Sequence, residues 1–312
     1  MHNKYIFSNI LGTFVFNEHF NILDRKLFSN SEQYINKEKT EKEFSNKYKN
    51  LKKPERKELK KILLYFNNRQ FFNDFYKRNI ELTKKEIRNS VKDDLLIMQT
   101  INNLNDLDKV INIMIKRLRE WYSLHNPEFS HSLKNQESFV DLILKKQKKE
   151  LLKELNKEET MGADFSKEDL EPIMDLAKEV SQLYQLRNKQ ENYLEELMKK
   201  VAPNLLAIAG AKIGARLIEQ AGSLKSLMLF PASTIQLLGA EKALFRHMKT
   251  KAKAPKYGFI REHPLISKNP RQLHGKIART LADKLCLAIK VDYFKGEFIG
   301  DKLLKEVEAK FK

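Results

Sequence analysis

The sequence has a single cysteine and no long apolar run. The lone thiol, Cys286, excludes an intramolecular disulfide and a thiolate cluster for structural zinc, and we expect it to be a buried packing residue. The longest apolar run, Leu205–Ala211, stops at Lys212 and is far shorter than the roughly 20 residues that cross a bilayer. The N-terminus also lacks the apolar segment of a signal peptide. We therefore expect a cytoplasmic protein without a membrane partner.

Groups that could carry out catalysis are also scarce. We find no paired carboxylates, no Ser/His/Asp set and no metal-ligand spacing, and the histidines His247, His263 and His274 lie in a basic region without a set of acidic or thiolate co-ligands. The glycines of Gly210–Gly214 are not followed by the Lys-Ser/Thr ending of a phosphate-binding loop, so we interpret them as small residues for close helix packing. We predict no enzyme activity, no cofactor and no bound metal.

Acidic residues are almost absent from one stretch of the chain. Between Lys242 and Lys290 there are thirteen Lys or Arg residues but only Glu262 and Asp283, so this stretch holds most of the formal net charge of +18. Surface lysines that serve solubility are normally mixed with acidic residues. The stretch therefore predicts a surface that binds a polyanion such as a nucleic acid.

The start of this basic stretch has helical spacing. Basic residues alternate with apolar ones, namely Lys242, Arg246 and Lys249 beside Leu244, Phe245 and Met248. The pattern predicts an amphipathic helix that packs through its apolar face, with Phe245 as a packing anchor that orients Arg246.

A loop is predicted directly after that helix. Residues 249–258 have no apolar period, include Pro255 and Gly258, and carry four lysines beside Tyr257. Lysines on a loop can reach phosphates, and a tyrosine can stack on a base.

Two segments upstream predict a helical hairpin. Apolar residues recur at spacings of three and four, first as Ile97, Leu104, Leu107, Ile111, Met114, Leu118 and Trp121, then as Ile173, Leu176, Val180, Leu183, Leu186, Tyr193 and Leu197. Capping signals at Thr83-Lys84-Lys85-Glu86 and at Ser166-Lys167-Glu168-Asp169 predict where the two long helical regions begin. The charged segment from Gln136 to Glu159 is interpreted as the tip of the hairpin. The short seams predict self-association through this arm.

The first 82 residues have a different pattern. Short β-prone runs at Lys4–Phe7, Gly12–Phe16 and Asn21–Leu23 are separated by turn residues and predict a β meander. Residues 30–61 are rich in Lys, Asn and Glu and predict solvated helices and loops. An apolar cluster follows (Leu63, Leu64, Phe66, Phe71, Phe72 and Phe75), which we interpret as a core helix or as part of a docking face.

Several stretches resemble a known family. The segments PASTIQLLGAEKALFRH, APKYGFIREHPLI and GKIARTLADKLCLAIKVDYF are similar to the Nop domain of box C/D ribonucleoprotein scaffolds. The similarity extends upstream through Asp106–Phe129, Met161–Ile173 and Val201–Ile218, and KYIFSNILGTFVFNE resembles the N-terminal module of that family.

The resemblance implies a mainly α fold with three parts. These are a small N-terminal α+β module that docks fibrillarin (1–82), a long antiparallel coiled-coil arm for homodimerisation (83–200) and an all-helical Nop domain that binds RNA and protein (201–312). It implies a non-catalytic scaffold of the archaeal type whose partners are a box C/D guide RNA, fibrillarin, a ribosomal-type kink-turn-binding protein and a second copy of itself. Fibrillarin would perform guide-directed 2′-O-methylation of RNA. The residues expected to contact RNA are Lys242, Arg246, His247, Lys249, Lys253, Lys256, Tyr257 and Arg279.

Two alternatives remain open at this point. The stretch AIAGAKIGARLIEQAGSLKSL has glycines followed by a helical pattern, as in helix-hairpin-helix proteins that bind DNA. A splicing factor with a Nop domain is the other. The helix-hairpin-helix interpretation leaves the arm and the residues after Glu241 unexplained, whereas the Nop resemblance uses both.

Overall fold

The computed structural model describes residues 3–67, 69–157 and 159–311, and it divides the chain into two compact units at Lys92 and Asp93. In the first unit the strands are β1 (Lys4–Asn9), β2 (Gly12–Phe16), β3 (Ile22–Leu27) and β4 (Leu51–Lys52). The helices of this unit are α1 (Ser31–Ile35), α2 (Lys37–Lys47), α3 (Arg56–Phe66) and α4 (Arg69–Ser90). The small sheet and the predominance of helix confirm the predicted fold class.

The sheet of the first unit has the order β3-β2-β1-β4. The antiparallel pairing of β1, β2 and β3 confirms the predicted meander, and β4 adds to β1 in parallel. Side chains alternate along β2, so that Phe14 and Phe16 pack with Ile62 and Phe66 of α3, whereas Val15 packs on the other face. The apolar cluster predicted after residue 62 is split, because Phe66 and Phe71 are buried while Leu63, Leu64 and Phe72 are exposed.

The helix start predicted at Thr83 is wrong. Helix α4 begins at Arg69 and continues through Thr83 to Ser90, and a new helix begins only at Asp93. A capping sequence satisfies helix-start amides only where the chain enters a helix, and here the residues before Thr83 already form one. The start predicted at Ser166 is confirmed, since its hydroxyl accepts a hydrogen bond from Asp169 N at 3.1 Å.

The second unit consists of helices. They are α5 (Asp93–Ser123), α6 (Pro127–Ser132), α7 (Gln136–Lys145), α8 (Lys148–Glu154), α9 (Lys167–Val201), α10 (Pro203–Ala221), α11 (Leu224–Leu229), α12 (Ala232–Leu237), α13 (Glu241–Thr250), a 3-10 helix (Phe259–Glu262), α14 (Pro264–Ser267), α15 (His274–Tyr293) and α16 (Gly300–Phe311). The longest two, α5 and α9, form the predicted antiparallel hairpin.

Two apolar clusters line this hairpin. The start of α5 packs with the end of α9 and with α10, α12 and α15, through residues that include Ile97, Leu104 and Leu197. The end of α5 packs with the start of α9 and with α7 and α8, through residues that include Leu118 and Ile173. Helices α6 to α8 therefore cap the far end of the hairpin, as predicted for the segment from Gln136, of which Glu158 lies outside the described residues.

A polar layer separates the two clusters. There Arg187 of α9 forms ion pairs with Asp108 of α5 and with Glu191, the latter at 3.0 Å, and Lys212 of α10 contacts Glu191 at 2.6 Å. The apolar period predicted for both helices is correct, but some of the residues predicted to lie in the seams are not buried. Beyond Ile111, residues Ile115 and Tyr122 are buried in place of Met114 and Trp121, because α7 and α8 draw that face inward.

Helix α10 is not regular, and Asp292 anchors its beginning. Gly210 has φ 75° and ψ 164°, which kinks the helix. The carboxylate of Asp292, near the end of α15, accepts hydrogen bonds from Asn204 N and Leu205 N at 3.0 and 2.8 Å. Among the described residues, no helix is long and apolar enough to cross a membrane.

Candidate nucleic-acid interface

Part of the basic stretch projects from the helical core, and hydrogen bonds join the two ends of the projecting segment. We call residues 239–257 the basic finger; it comprises α13 and the loop that follows. Backbone hydrogen bonds from Gly258 N to Gln236 O and from Phe259 N to Leu238 O, both 2.8 Å long, join the two ends of the finger. The Gln236 side-chain amide also donates to Lys256 O at 2.6 Å. The helical unit thus holds the finger at both ends.

Two glycines make this closure possible. A Cβ on Gly258 would lie 1.8 Å from Leu238 O, which no side chain could tolerate, and Gly239 has φ 87° with the ring of Phe259 against it. Only glycine allows the two backbone segments to approach this closely and adopts a positive φ without strain. The finger is therefore fixed by backbone contacts at its base rather than by packing along its length.

Helix α13 packs only weakly. It has no buried residue; Ala243, Leu244 and His247 are half-buried, and Phe245 and Met248 are 61% and 69% exposed. The prediction that α13 packs through its whole apolar face is wrong, and so is the role of Phe245 as a packing anchor. Among the described residues, no element covers the outer face of this helix.

The basic residues of the finger form one exposed stripe. Lys242, Arg246 and Lys249 are spaced by four and three and share a face of α13, and Lys253 follows on the loop. None of them forms an ion pair with a carboxylate of the described residues. Of the two acidic residues in the basic stretch, Glu262 is paired with Arg216 at 2.7 Å. The one carboxylate of the finger, Glu241, accepts a hydrogen bond from Gly239 N, so no basic residue of the stripe is paired with it.

Lys256 and Arg279 are brought near each other at the start of α15. A Cβ on Gly275 would lie 3.6 Å from Cδ of Lys256, and Arg279 lies one turn further along the same helix. Both side chains are exposed. The stripe of the finger thus continues towards α15.

The two proposed stacking groups have partners within the protein. The Nδ1–H of His247 donates to Ala252 O and fixes the turn after α13, where Lys251 has φ 54°. The hydroxyl of Tyr257 lies 3.4 Å from Nδ1 of His274, whose Nε2 donates to Asn269 O at 2.8 Å. Both rings are half-buried. The exposed aromatic ring of the finger is Phe245, for which the sequence predicts a packing role.

Comparisons with known proteins decide the family. The profile of the Nop family, described as "snoRNA binding domain, fibrillarin", matches residues 103–312, which is well over half of the chain. The chain belongs to the Nop family. The match includes most of the arm and all of the basic finger, so it covers the stretch on which the helix-hairpin-helix alternative relied.

Relatives of this Nop protein include archaeal and eukaryotic sequences. The chain is 41% identical over 271 residues to an uncharacterized NOP5 family protein of Methanocaldococcus jannaschii, covering 80% of this chain and 64% of that one. It is 40% identical over 240 residues to nucleolar protein 58 of Aspergillus oryzae, covering 70% of this chain and 42% of that one. The chain thus spans less than two thirds of either relative.

A solved structure is also similar. The crystal structure titled fibrillarin/Nop5p complex has a chain that is 25% identical, with a TM-score of 0.46, covering 95% of this chain and 98% of that chain.

Proposed function

We propose that this Nop protein is a non-catalytic RNA-binding scaffold of an archaeal-type box C/D ribonucleoprotein. The observation that carries the proposal is the basic finger, whose exposed lysines and arginine have no carboxylate partner among the described residues. Phosphates neutralise such charges at little desolvation cost, because the side chains already lie in solvent. The description of the matching family as a snoRNA binding domain supports RNA as the polyanion.

The finger offers two kinds of contact. Its basic stripe suits the phosphates of a kink-turn, and the neighbouring Phe245 and Met248 suit an unstacked base or the apolar surface of a ribosomal-type protein that holds the kink-turn. Base stacking is worth about 1–3 kcal/mol per base. We therefore add Phe245 to the proposed RNA contacts, alongside the basic residues predicted from the sequence.

The arm is proposed as the surface for self-association. Apolar side chains of α5 and α9 remain exposed on its outside (Val110, Ile113, Trp121, Leu186 and Tyr193). Such a patch along a helical hairpin is typical of a protein interface. A second copy would cover it and place two basic fingers in one particle.

The N-terminal module is proposed to dock fibrillarin. Between α3 and α4 it has an apolar groove of about 440 Å³, lined by residues that include Leu63, Leu64, Phe72 and Phe75. An apolar groove between two helices fits an apolar segment of a partner. We assign docking to residues 1–82, self-association to 83–200 and RNA binding to 201–312.

Methyl transfer is assigned to fibrillarin and not to this chain. Given S-adenosylmethionine, guide RNA and target RNA, the purified chain alone should transfer no methyl group, whereas addition of fibrillarin should restore transfer. Activity without fibrillarin would contradict the scaffold proposal.

A salt titration of RNA binding tests the finger. The ligand is a kink-turn RNA carrying its ribosomal-type protein, and the variant is Arg246→Ala with Lys256→Ala. Each phosphate contact that is removed makes the negative slope of log K against log salt shallower by about one. The slope of the double variant should therefore be shallower by about two, and the variant should bind all RNA sequences more weakly.

The control removes two exposed lysines outside the finger, Lys225→Ala on α11 with Lys305→Ala on α16. Its net charge is the same as that of the test variant. Equal slopes for the two variants would mean that total charge and not the finger governs binding, and the proposal would then fail.

A further inference from the structure

A polar cavity lies on the arm, away from the basic finger. It has a volume of about 440 Å³ and is lined by Lys116, Arg119 and Glu120 of α5, by Ser130 and His131 of α6, and by neighbouring polar residues. Arg119 and Glu120 lie three and four positions after Lys116, so the three residues share one side of α5. The cavity therefore brings two permanent cations and one carboxylate to the end of the hairpin.

Arg119 is a partly buried cation with neutral partners. Its guanidinium donates to Ser130 O at 2.6 Å and to Leu133 O at 2.9 Å, and it lies over the ring of Phe139 at 4.4 Å. It forms no ion pair with a carboxylate in the part of the chain that the structure describes. The carbonyls position the guanidinium but leave its charge uncompensated.

Two buried polar atoms on this cavity have no hydrogen-bond partner among the described residues. They are the hydroxyl of Ser130, a residue only 2% exposed, and Nε of Arg119. A buried donor without an acceptor destabilises the fold, so such atoms are normally satisfied. Both belong to residues of the cavity wall and lack an acceptor among the described residues.

The other charges agree with an anionic ligand. Lys116 lines the cavity and has no carboxylate partner in the described chain, whereas Glu120 is engaged by Arg117 at 2.8 Å. A carboxylate held by an arginine outside the cavity repels an anion less than a free one does. The net charge facing the cavity is positive.

We propose that this cavity is an oxyanion site that takes a phosphate group. Arg119 Nε–H and the Ser130 hydroxyl donate to its oxygens, and Lys116 supplies a second positive charge. Charge-assisted hydrogen bonds from arginine are a usual means of phosphate recognition. The phosphate comes either from an RNA backbone or from free phosphate, and these two sources share the same chemistry.

The site lies away from the basic finger. On α5, Ile113 lies three positions before Lys116, so the cavity borders the exposed apolar residues of the arm. Arg119 lies 18 positions after Ile101, which packs in the core that carries the finger. This corresponds to about 27 Å along the helix. The proposal does not depend on RNA binding by the finger.

Titration of the full chain with inorganic phosphate tests the site, with binding measured by calorimetry. Ser130→Ala should weaken phosphate binding about fivefold without destabilising the protein, because the lost hydroxyl has no partner in the described chain. Lys116→Gln should weaken it by a similar factor, and Glu120→Gln should strengthen it. The matched control is Lys178→Gln, which removes the same charge from a lysine that is paired with Asp175 on α9 and does not line the cavity. Equal phosphate affinity in the wild type and in Ser130→Ala and Lys116→Gln overturns the proposal.

RNA binding then distinguishes the two sources. If the phosphate belongs to RNA, Lys116→Gln lowers the salt slope of RNA binding by about one and Lys178→Gln does not. If the two variants have the same slope while phosphate binding still depends on Ser130 and Lys116, the ligand is a free oxyanion. Failure of the finger variants in the salt titration affects only the proposed function, since the phosphate titration contains no RNA.

Discussion

The side chain of Asp292 joins two helices through Asn204. Its carboxylate accepts from the backbone N and the side-chain amide of Asn204, at 3.0 and 2.8 Å, and the side-chain Oδ1 of Asn204 accepts from Ile299 N at 2.6 Å, just before α16. The buried carboxylate of Asp292 thereby accepts from the backbone N–H groups at the start of α10. It also holds Asn204, which accepts from the residue before α16.

Replacement of Asp292 by Ala should be strongly destabilising. It strands buried N–H groups of Asn204 and Leu205, and the expected loss is about 3 kcal/mol in the free energy of unfolding. Urea denaturation followed by circular dichroism measures it. Asp283→Ala, on the same helix but exposed, is the control and should change stability by less than about 0.5 kcal/mol. Equal losses in the two variants would contradict the anchoring role.

Phe245→Ala should leave stability unchanged and weaken RNA binding. The ring is 61% exposed, so its removal creates no cavity, whereas the loss of one stacked base corresponds to about tenfold in affinity. Thermal unfolding and binding to the kink-turn complex are measured in parallel. Phe294→Ala, which removes another exposed ring, should change neither quantity. A large fall in the melting temperature of Phe245→Ala would contradict this prediction and show that the ring stabilises the fold.

Ile113→Asp should separate the copies of the chain without unfolding it. Ile113 is 68% exposed on the outside of α5, whereas its neighbour Ile111 is only 3% exposed inside the hairpin. A charge at Ile111 would be buried without a partner, so Ile111→Asp should unfold the arm instead. Sedimentation at micromolar concentration gives the mass and circular dichroism the helix content. A monomeric wild type would refute self-association through this arm.

His263 should make stability dependent on pH. Its buried ring donates from Nε2 to Ile208 O at 2.8 Å and accepts at Nδ1 from Leu265 N at 3.2 Å, so the native ring is neutral. Burial lowers the pKa of His263 below its ordinary value. The unfolded chain therefore binds more protons, and the stability that His263 contributes is fully present above about pH 6.5 and is lost as the pH falls through the native pKa.

The comparison that tests this is between the wild type and His263→Asn. Burial also lowers the pKa of His125, so both proteins should become less stable in acid. The stability difference between them should shrink from pH 7.5 to pH 5.5, as read from urea midpoints. A constant difference would show that His263 does not titrate in this range.

Much of the fold follows from the spacing of apolar residues. The seams that begin at Ile97 and Ile173 predicted α5 and α9, because a long period of three and four is satisfied only by a helix. Beyond Ile111 the sequence offers adjacent apolar pairs, such as Met114 with Ile115 and Trp121 with Tyr122. The choice within each pair depends on α7 and α8, which pack against the arm from elsewhere in the chain.

The candidate interface was predictable in position but not in geometry. Its charge is visible in the sequence, because it depends only on residue types. Whether Phe245 is covered depends on where Gly239 and Gly258 turn the chain, and helical periodicity gives no information about that. The base of the finger is closed by hydrogen bonds between residues about 20 positions apart. Such contacts belong to the tertiary structure and cannot be read from local sequence periodicity.

The polar layer of the hairpin has a consequence for how its helices find their alignment. The connection from Leu124 to Ser166 is too long for its length alone to set the offset between α5 and α9. If one helix slid past the other by one heptad, leucines and isoleucines would still meet apolar neighbours. Arg187, however, would lose Asp108 and keep only Glu191 of its own helix. The ion pair thus acts as a register mark, which contributes less to stability than to making one alignment better than its neighbours.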